Sequence, residues 1–241
     1  MSKILTKNNV LDIRNEFASK FLNKDFVTDK SGVKTVEIIG AHFIVDEESI
    51  FGEINHEYVK DEIDWYFSES LNVNDLNNTP KIWKQVADKD GFINSNYGWC
   101  INHPDNFDQY QNCYNELVRN PDSRRAIMIY TRPSMQYDFC KNGRSDFMCT
   151  NTVQYFIRDN KLVTYVSMRS NDGWAGFRND YQWQLYIAKG MTDRLNIELG
   201  EIIWNVGSLH IYEKQFYLID HYIKTGDIHI TLKDYKTLYN V

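Results

Sequence analysis

The chain has 241 residues, with 27 Lys and Arg against 33 Asp and Glu, and a formal charge of −6. A composition of 42% hydrophobic and 25% charged residues is that of a folded soluble domain, and the acidic balance argues against nucleic acid as the main ligand. The opening residues hold no apolar run of signal-peptide length and no stretch approaches ~18 apolar residues, so the expectation is a cytoplasmic protein without membrane contact.

No repeat, low-complexity tract or Pro-rich linker divides the chain, which predicts a single domain over 1–241. Val10, Ile13, Phe17 and Phe21 recur at spacings of three and four and predict a first helix. Lys30-Ser31-Gly32 reads as a turn before a strand at 35–39. A second helix carries Val59, Ile63, Tyr66 and Phe67, and another is predicted over 107–118. Apolar or alternating runs at 126–130, 152–157 and 162–168 predict strands, the last two joined by a hairpin loop at 158–161. Helical periodicity returns over 181–195 and again at Leu209, Tyr212, Phe216, Ile219 and Ile223. Strands among helices, without strand–helix alternation, predict an α+β fold with a mixed, mostly antiparallel sheet flanked by helices.

The four cysteines, Cys100, Cys113, Cys140 and Cys149, show no CxxC spacing and no pairing with His at ligand intervals, so neither zinc nor a disulfide framework is expected. Glu62 shares a helix face with Val59 and Tyr66, which fits either an interior carboxylate suited to proton transfer or a helix-boundary Glu reaching water. Arg124-Arg125 stands at a strand entrance, where neighbouring side chains splay apart and one guanidinium is expected near the core; a solvated strand end is the alternative. Arg169-Ser170-Asn171-Asp172 closes another strand, and the polar stretch to Asp180 reads as a ligand loop or as a turn with Asp180 capping a helix. Cys149, at the mouth of a strand, is either an inert buried thiol or, with a cation beside it, a nucleophile.

Taken in order, Glu62-Ile63-Asp64-Trp65, Ile82-Trp83, Asn96-Tyr97-Gly98-Trp99, Asp122-Ser123-Arg124-Arg125, Cys149, Arg169-Ser170-Asn171-Asp172 and His210-Ile211-Tyr212 resemble the thymidylate synthase superfamily over nearly the whole chain. The likeness is to its branch of T-even phage deoxycytidylate 5-hydroxymethylases. It implies a homodimer joined through the sheet, using 5,10-methylenetetrahydrofolate and no metal, and acting in nucleotide synthesis, with other enzymes of that synthesis as further partners. In this resemblance Cys149 matches the nucleophile that adds to C6 of the pyrimidine. Arg169 and Ser170 match phosphate contacts, joined by Arg124 and Arg125 from the other subunit and by Lys30, which replaces an Arg. Asn171 falls among the substrate contacts. His210 and Tyr212 match the pair that binds the deoxyribose 3′-hydroxyl, Trp83, Asp172 and Gly176 lie at folate positions, Glu62 matches the carboxylate that organises water, and Tyr97 has a supporting place.

Two departures carry information. Thr150 follows the nucleophile where thymidylate synthases have His, and Asp180 stands where they have Asn. Cytosine presents an N4 amino group, and its N3 becomes protonated once a thiolate has added, so an acceptor-only carboxylate suits dCMP where an amide suits dUMP. The resemblance therefore implies hydroxymethylation of dCMP, with Glu62 activating the water. Thymidylate synthesis or dUMP hydroxymethylation is the runner-up, and a non-catalytic scaffold subunit the reading from another class.

Overall fold

The computed structural model describes residues 8–29 and 31–240. In chain order the elements are α1 (Val10–Leu22), β1 (Val27–Thr28), β2 (Lys34–Ile44), α2 (His56–Phe67), α3 (Lys81–Val86), α4 (Tyr97–Asn102), α5 (Gln109–Arg119), β3 (Ile127–Ile129), α6 (Met135–Asp138), β4 (Thr150–Arg158), β5 (Lys161–Asp172), α7 (Ala175–Leu195), β6 (Glu198–Tyr212), α8 (Phe216–Thr225) and α9 (Leu232–Tyr239). The strands form an open six-stranded sheet in the order β1-β2-β6-β5-β4-β3, flanked by helices, and β1–β2, β2–β6, β3–β4 and β4–β5 pair antiparallel. The α+β expectation holds.

The chain divides into two compact units. One takes the residues up to Ile54, Arg169–Gln184 and those from Ile203 on. Its α1 follows the predicted periodicity, with Val10, Ile13 and Phe17 buried and Asn9 closing a capping box with Asp12. The same face buries Arg14, whose guanidinium donates to Glu47 at 2.7 and 2.8 Å and to the Ile50 and Ser49 carbonyls at 2.6 Å. Phe43 of β2 lies opposite Trp204 of β6, and Phe177 rests on both at centroid distances of 5.7 and 5.5 Å. All three rings are buried, each worth roughly 1.5–3 kcal/mol on removal from water.

The other unit takes Asn55–Met168 and Leu185–Ile202. Here α4 docks on α2 through backbone approach: a Cβ on Gly98 would lie 1.8 Å from the Tyr66 carbonyl oxygen. Buried Asn96 caps α4 through the Trp99 N–H and donates to the Trp65 and Ser70 carbonyls at 3.0 and 2.9 Å. The β4–β5 hairpin turns at Asp159 and Asn160, both left-handed, a conformation that Asp and Asn tolerate better than most residues.

Two expectations are corrected. The 3–4 spacing at Leu209 and Tyr212 is not helical, because both residues belong to β6, and α8 begins only at Phe216. The strand went unseen because its alternation of buried residues (Ile202, Trp204, Val206, then Leu209, Ile211) changes phase at Gly207-Ser208, which hides the period of two. The helix predicted over 181–195 starts six residues earlier, at Ala175, so Asp180 lies inside it and is not a cap.

Candidate active site

In the unit that carries the cysteine, Cys149 is half-buried and immediately precedes β4. The segment leading to it is anchored by Asp146. Its carboxylate accepts from the Asn94 and Ser95 N–H groups at 2.5 and 2.9 Å and from the Ser95 hydroxyl at 2.7 Å, while Asn94 Nδ2 donates to its carbonyl at 3.0 Å. On the far side, fully buried Thr150 donates to the Tyr97 hydroxyl at 2.9 Å. Burial pushes the Cys100 and Cys113 thiols up to about 12, which leaves them protonated and unreactive at neutral pH.

Glu62 is 6% exposed on α2, so the interior reading of its helix face is correct. Its Oε1 accepts from the Tyr58 hydroxyl at 2.5 Å and from Trp83 Nε1 at 3.4 Å, and Trp83 Nε1 also donates to the Tyr58 hydroxyl at 3.1 Å. Burial raises the carboxyl to about 7, opposed by hydrogen bonds from Tyr58, Trp83 and Tyr66. A carboxyl balanced between its two protonation states near neutrality can both take and return a proton.

Arg124 and Arg125 are both exposed, so the expected guanidinium near the core is absent. The strand proper begins only at Ile127, and Arg125 turns back to Glu116, which accepts from its Nη2 at 3.0 Å and its Nε at 3.2 Å. Glu116 also accepts from the Ser123 hydroxyl at 2.5 Å, and the Arg124 carbonyl accepts from Gln154 at 2.8 Å. The loop is held while its cations face outward.

In the other unit, Arg169 is exposed and Ser170 half-buried at the end of β5, beside Gly207, where a Cβ would meet the Arg169 carbonyl oxygen at 2.7 Å. Asn171 is buried: its Nδ2 donates to Asp180 Oδ2 at 2.7 Å and its Oδ1 accepts from Trp204 Nε1 at 3.2 Å. Asp172 accepts from the Trp174 N–H at 2.9 Å at the mouth of α7. Burial raises its carboxyl above the usual range, against the lowering effect of His210, Lys214 and Arg178. Gly176 faces this group, since a Cβ there would lie 3.0 Å from Asn171 Nδ2 and 3.3 Å from Asp172 Cβ. The bulky Trp174 stacks on the Arg178 guanidinium, 4.7 Å from its ring centre, and fills the space over Gly52. His210 and Tyr212 meet edge to face at 4.9 Å, with His210 Nδ1 3.4 Å from the Ser208 hydroxyl. Lys30 lies outside the described residues.

The structure thus groups Glu62 with Trp83, sets Tyr97 against the residue after Cys149, and gathers Asn171, Asp172, Gly176 and Asp180 around the start of α7. Tyr58, Asp146, Glu116 and Trp204 are participants that the sequence reading missed. Tyr58 was within reach, because Tyr58, Glu62 and Tyr66 follow one another at intervals of four on a single helix face. Asp146 and Trp204 act across the fold and leave no local signal. Among the described residues no group of three or more His, Cys, Asp or Glu is placed to hold a metal ion, and no helix is long and apolar enough to cross a membrane.

The thymidylate synthase family profile matches residues 21–234. Deoxycytidylate 5-hydroxymethyltransferase of Enterobacteria phage T6 is 57% identical over 235 residues, covering 94% of this chain and 96% of its own. The enzyme of the same name from Enterobacteria phage T4 is 57% identical over 234 residues, covering 94% and 95%. A thymidylate synthase of Francisella tularensis subsp. holarctica is 28% identical over 200 residues, covering 76% and 73%. With a profile match across most of its length and relatives of this identity over nearly all of it, the chain belongs to the thymidylate synthase family.

Proposed function

We propose that this chain transfers a one-carbon unit from 5,10-methylenetetrahydrofolate to C5 of dCMP and hydrates it, giving 5-hydroxymethyl-dCMP and tetrahydrofolate. The observation that carries the reading is Asp180, an acceptor-only side chain held in place by an N–H of Asn171, where the resemblance to thymidylate synthases calls for an amide. Similarity to the phage T6 and T4 enzymes named for this reaction supports it.

Cys149 is the nucleophile: its thiolate adds to C6 of the pyrimidine, makes C5 electron-rich, and leaves again when the product forms. Asp180 accepts from the N4 amino group and from N3–H of the adduct. Glu62, titrating near neutrality, takes a proton from the water that adds to the new carbon at C5. Arg169 and Ser170 bind the phosphate, with Lys30 as a further cation, and His210 and Tyr212 bind the 3′-hydroxyl. Tyr97 supports the strand that follows the nucleophile.

The folate, when bound, supplies the one-carbon unit. The residues fit such a group: half-buried Asp172 offers an acceptor to the N–H donors of a pterin, Trp83 offers a half-buried ring face, and Gly176 keeps a side chain out of the start of α7. The outward setting of Arg125, 78% exposed, supports a homodimer in which Arg124 and Arg125 serve the partner's phosphate site across a sheet-to-sheet interface. In this reading residues 1–241 work as one catalytic domain in the cytoplasm, the host's if the chain is phage-encoded, beside other enzymes of nucleotide synthesis.

The test is kcat/KM for dCMP and dUMP in wild type and in Asp180→Asn at saturating folate. Wild type is expected to prefer dCMP, and the variant to move the preference by about one to four decades towards dUMP. A wild type that prefers dUMP, or a ratio untouched by the substitution, refutes the reading.

A further inference from the structure

A carboxylate reads a base faithfully only if its orientation is fixed, and the residue fixing Asp180 is itself fixed from behind. Asn171 bridges Trp204 and Asp180, with its oxygen towards the indole N–H at 3.2 Å and its nitrogen towards Asp180 Oδ2 at 2.7 Å. The indole nitrogen can only donate, and an ionised carboxylate can only accept. Reversing the amide would set N–H against N–H and carbonyl against carboxylate, so one orientation alone satisfies both neighbours. Trp204 has no freedom to relax this, being fully buried with Phe177 5.5 Å and Tyr181 6.4 Å from its ring. Gly176 leaves the amide the room that a methyl group at that position would crowd, at 3.0 Å from Asn171 Nδ2.

We infer that Asn171, oriented by Trp204, is the positioning residue for base selection, acting through Asp180 and not by contact with the nucleotide. The inference rests on the reading of Asp180 given above. The consequence is directional. Asn171 always presents a donor to position 180, so whatever stands there must turn an acceptor towards it. A carboxylate obeys this and remains an acceptor towards the base as well. An amide at 180 must give its carbonyl to Asn171 and direct its N–H groups elsewhere, which is the arrangement that uracil O4 requires. The same relay therefore sharpens dCMP selection with Asp at 180 and dUMP selection with Asn there.

The experiment is a double-mutant cycle on wild type, Asn171→Ala, Asp180→Asn and the double variant, read as the ratio of kcat/KM for dCMP to that for dUMP. Because both substrates are measured on the same preparation, partial unfolding cancels from the ratio. Asn171→Ala is expected to lower the ratio about ten-fold in the wild-type background and to raise it by a similar factor in the Asp180→Asn background. Trp204→Phe keeps the ring packing but removes the N–H, and it should lower the ratio at least about three-fold while Asn171 stays in place. A role confined to stability would scale both substrates alike. The inference is overturned if the ratio moves less than two-fold in both backgrounds while Asp180→Asn alone shifts it strongly, an outcome that leaves the Asp180 reading intact. If Asp180→Asn itself leaves the ratio unchanged, the reading and the inference fall together.

Discussion

Thr150 Oγ1 donates to the Tyr97 hydroxyl at 2.9 Å, one residue beyond Cys149. This bond closes a continuous path within one unit. It joins the start of β4 to α4, and α4 is locked to α2 by Gly98 and Asn96, while α2 carries Glu62. Cys149 and Glu62 are thereby placed by one connected set of contacts. Thr150→Val keeps the shape and removes the donor. It is expected to cost roughly 1–2 kcal/mol of stability and to lower kcat about ten-fold with little change in KM for dCMP, checked by denaturant unfolding and steady-state kinetics.

Glu62 makes stability depend on pH in an unusual direction. Its carboxyl is raised to about 7 in the folded chain, against ~4.3 for an unfolded Glu, so the folded state binds the proton more tightly. The protonated form prevails in both states below that window, whereas above it the folded protein carries a buried charge. Its contribution therefore falls as pH rises from about 4.5 to 7 and levels off beyond. Glu62→Gln keeps an acceptor for the Tyr58 hydroxyl and should abolish this slope. Relative to wild type the variant is expected to gain about 2–3 kcal/mol between pH 5 and pH 8, by denaturant titration, while losing at least about 100-fold in kcat.

How far the sequence foretold all this depended on whether the signal was local. The periodicities of α1 and α2 were legible because each helix buries one continuous face, and Glu62 stood out for the same reason. Trp204 was hidden because its strand changes phase at Gly207-Ser208 and masquerades as a helix. Asn171 could be seen as part of a polar loop, but its two hydrogen bonds join residues nine and 33 positions away, a pairing that only the fold creates. Arg125 misled for a different reason: strand alternation does not govern a side chain still in the loop, where Glu116 claims it.

The outward setting of Arg125 predicts complementation. Cys149→Ser should abolish turnover yet bind dCMP much as wild type does, because phosphate and sugar contacts do not use the thiol. In the proposed homodimer, Arg125→Ala should lose phosphate binding in both sites. Dissociated, mixed and re-paired in equal amounts, the two inactive variants should recover about a quarter of wild-type activity, since only heterodimers hold one intact site. Re-paired mixtures that stay inactive rule out a shared phosphate site.

The most direct measurement is the mass of the nucleotide formed when the purified protein is incubated with dCMP and 5,10-methylenetetrahydrofolate, with dUMP and CMP in parallel. The expected result is that dCMP gains CH2O, that tetrahydrofolate accumulates in equal amount, and that Cys149→Ser forms none of this product. A gain of CH2 with dihydrofolate as co-product, or a product from dUMP in preference to dCMP, would contradict it.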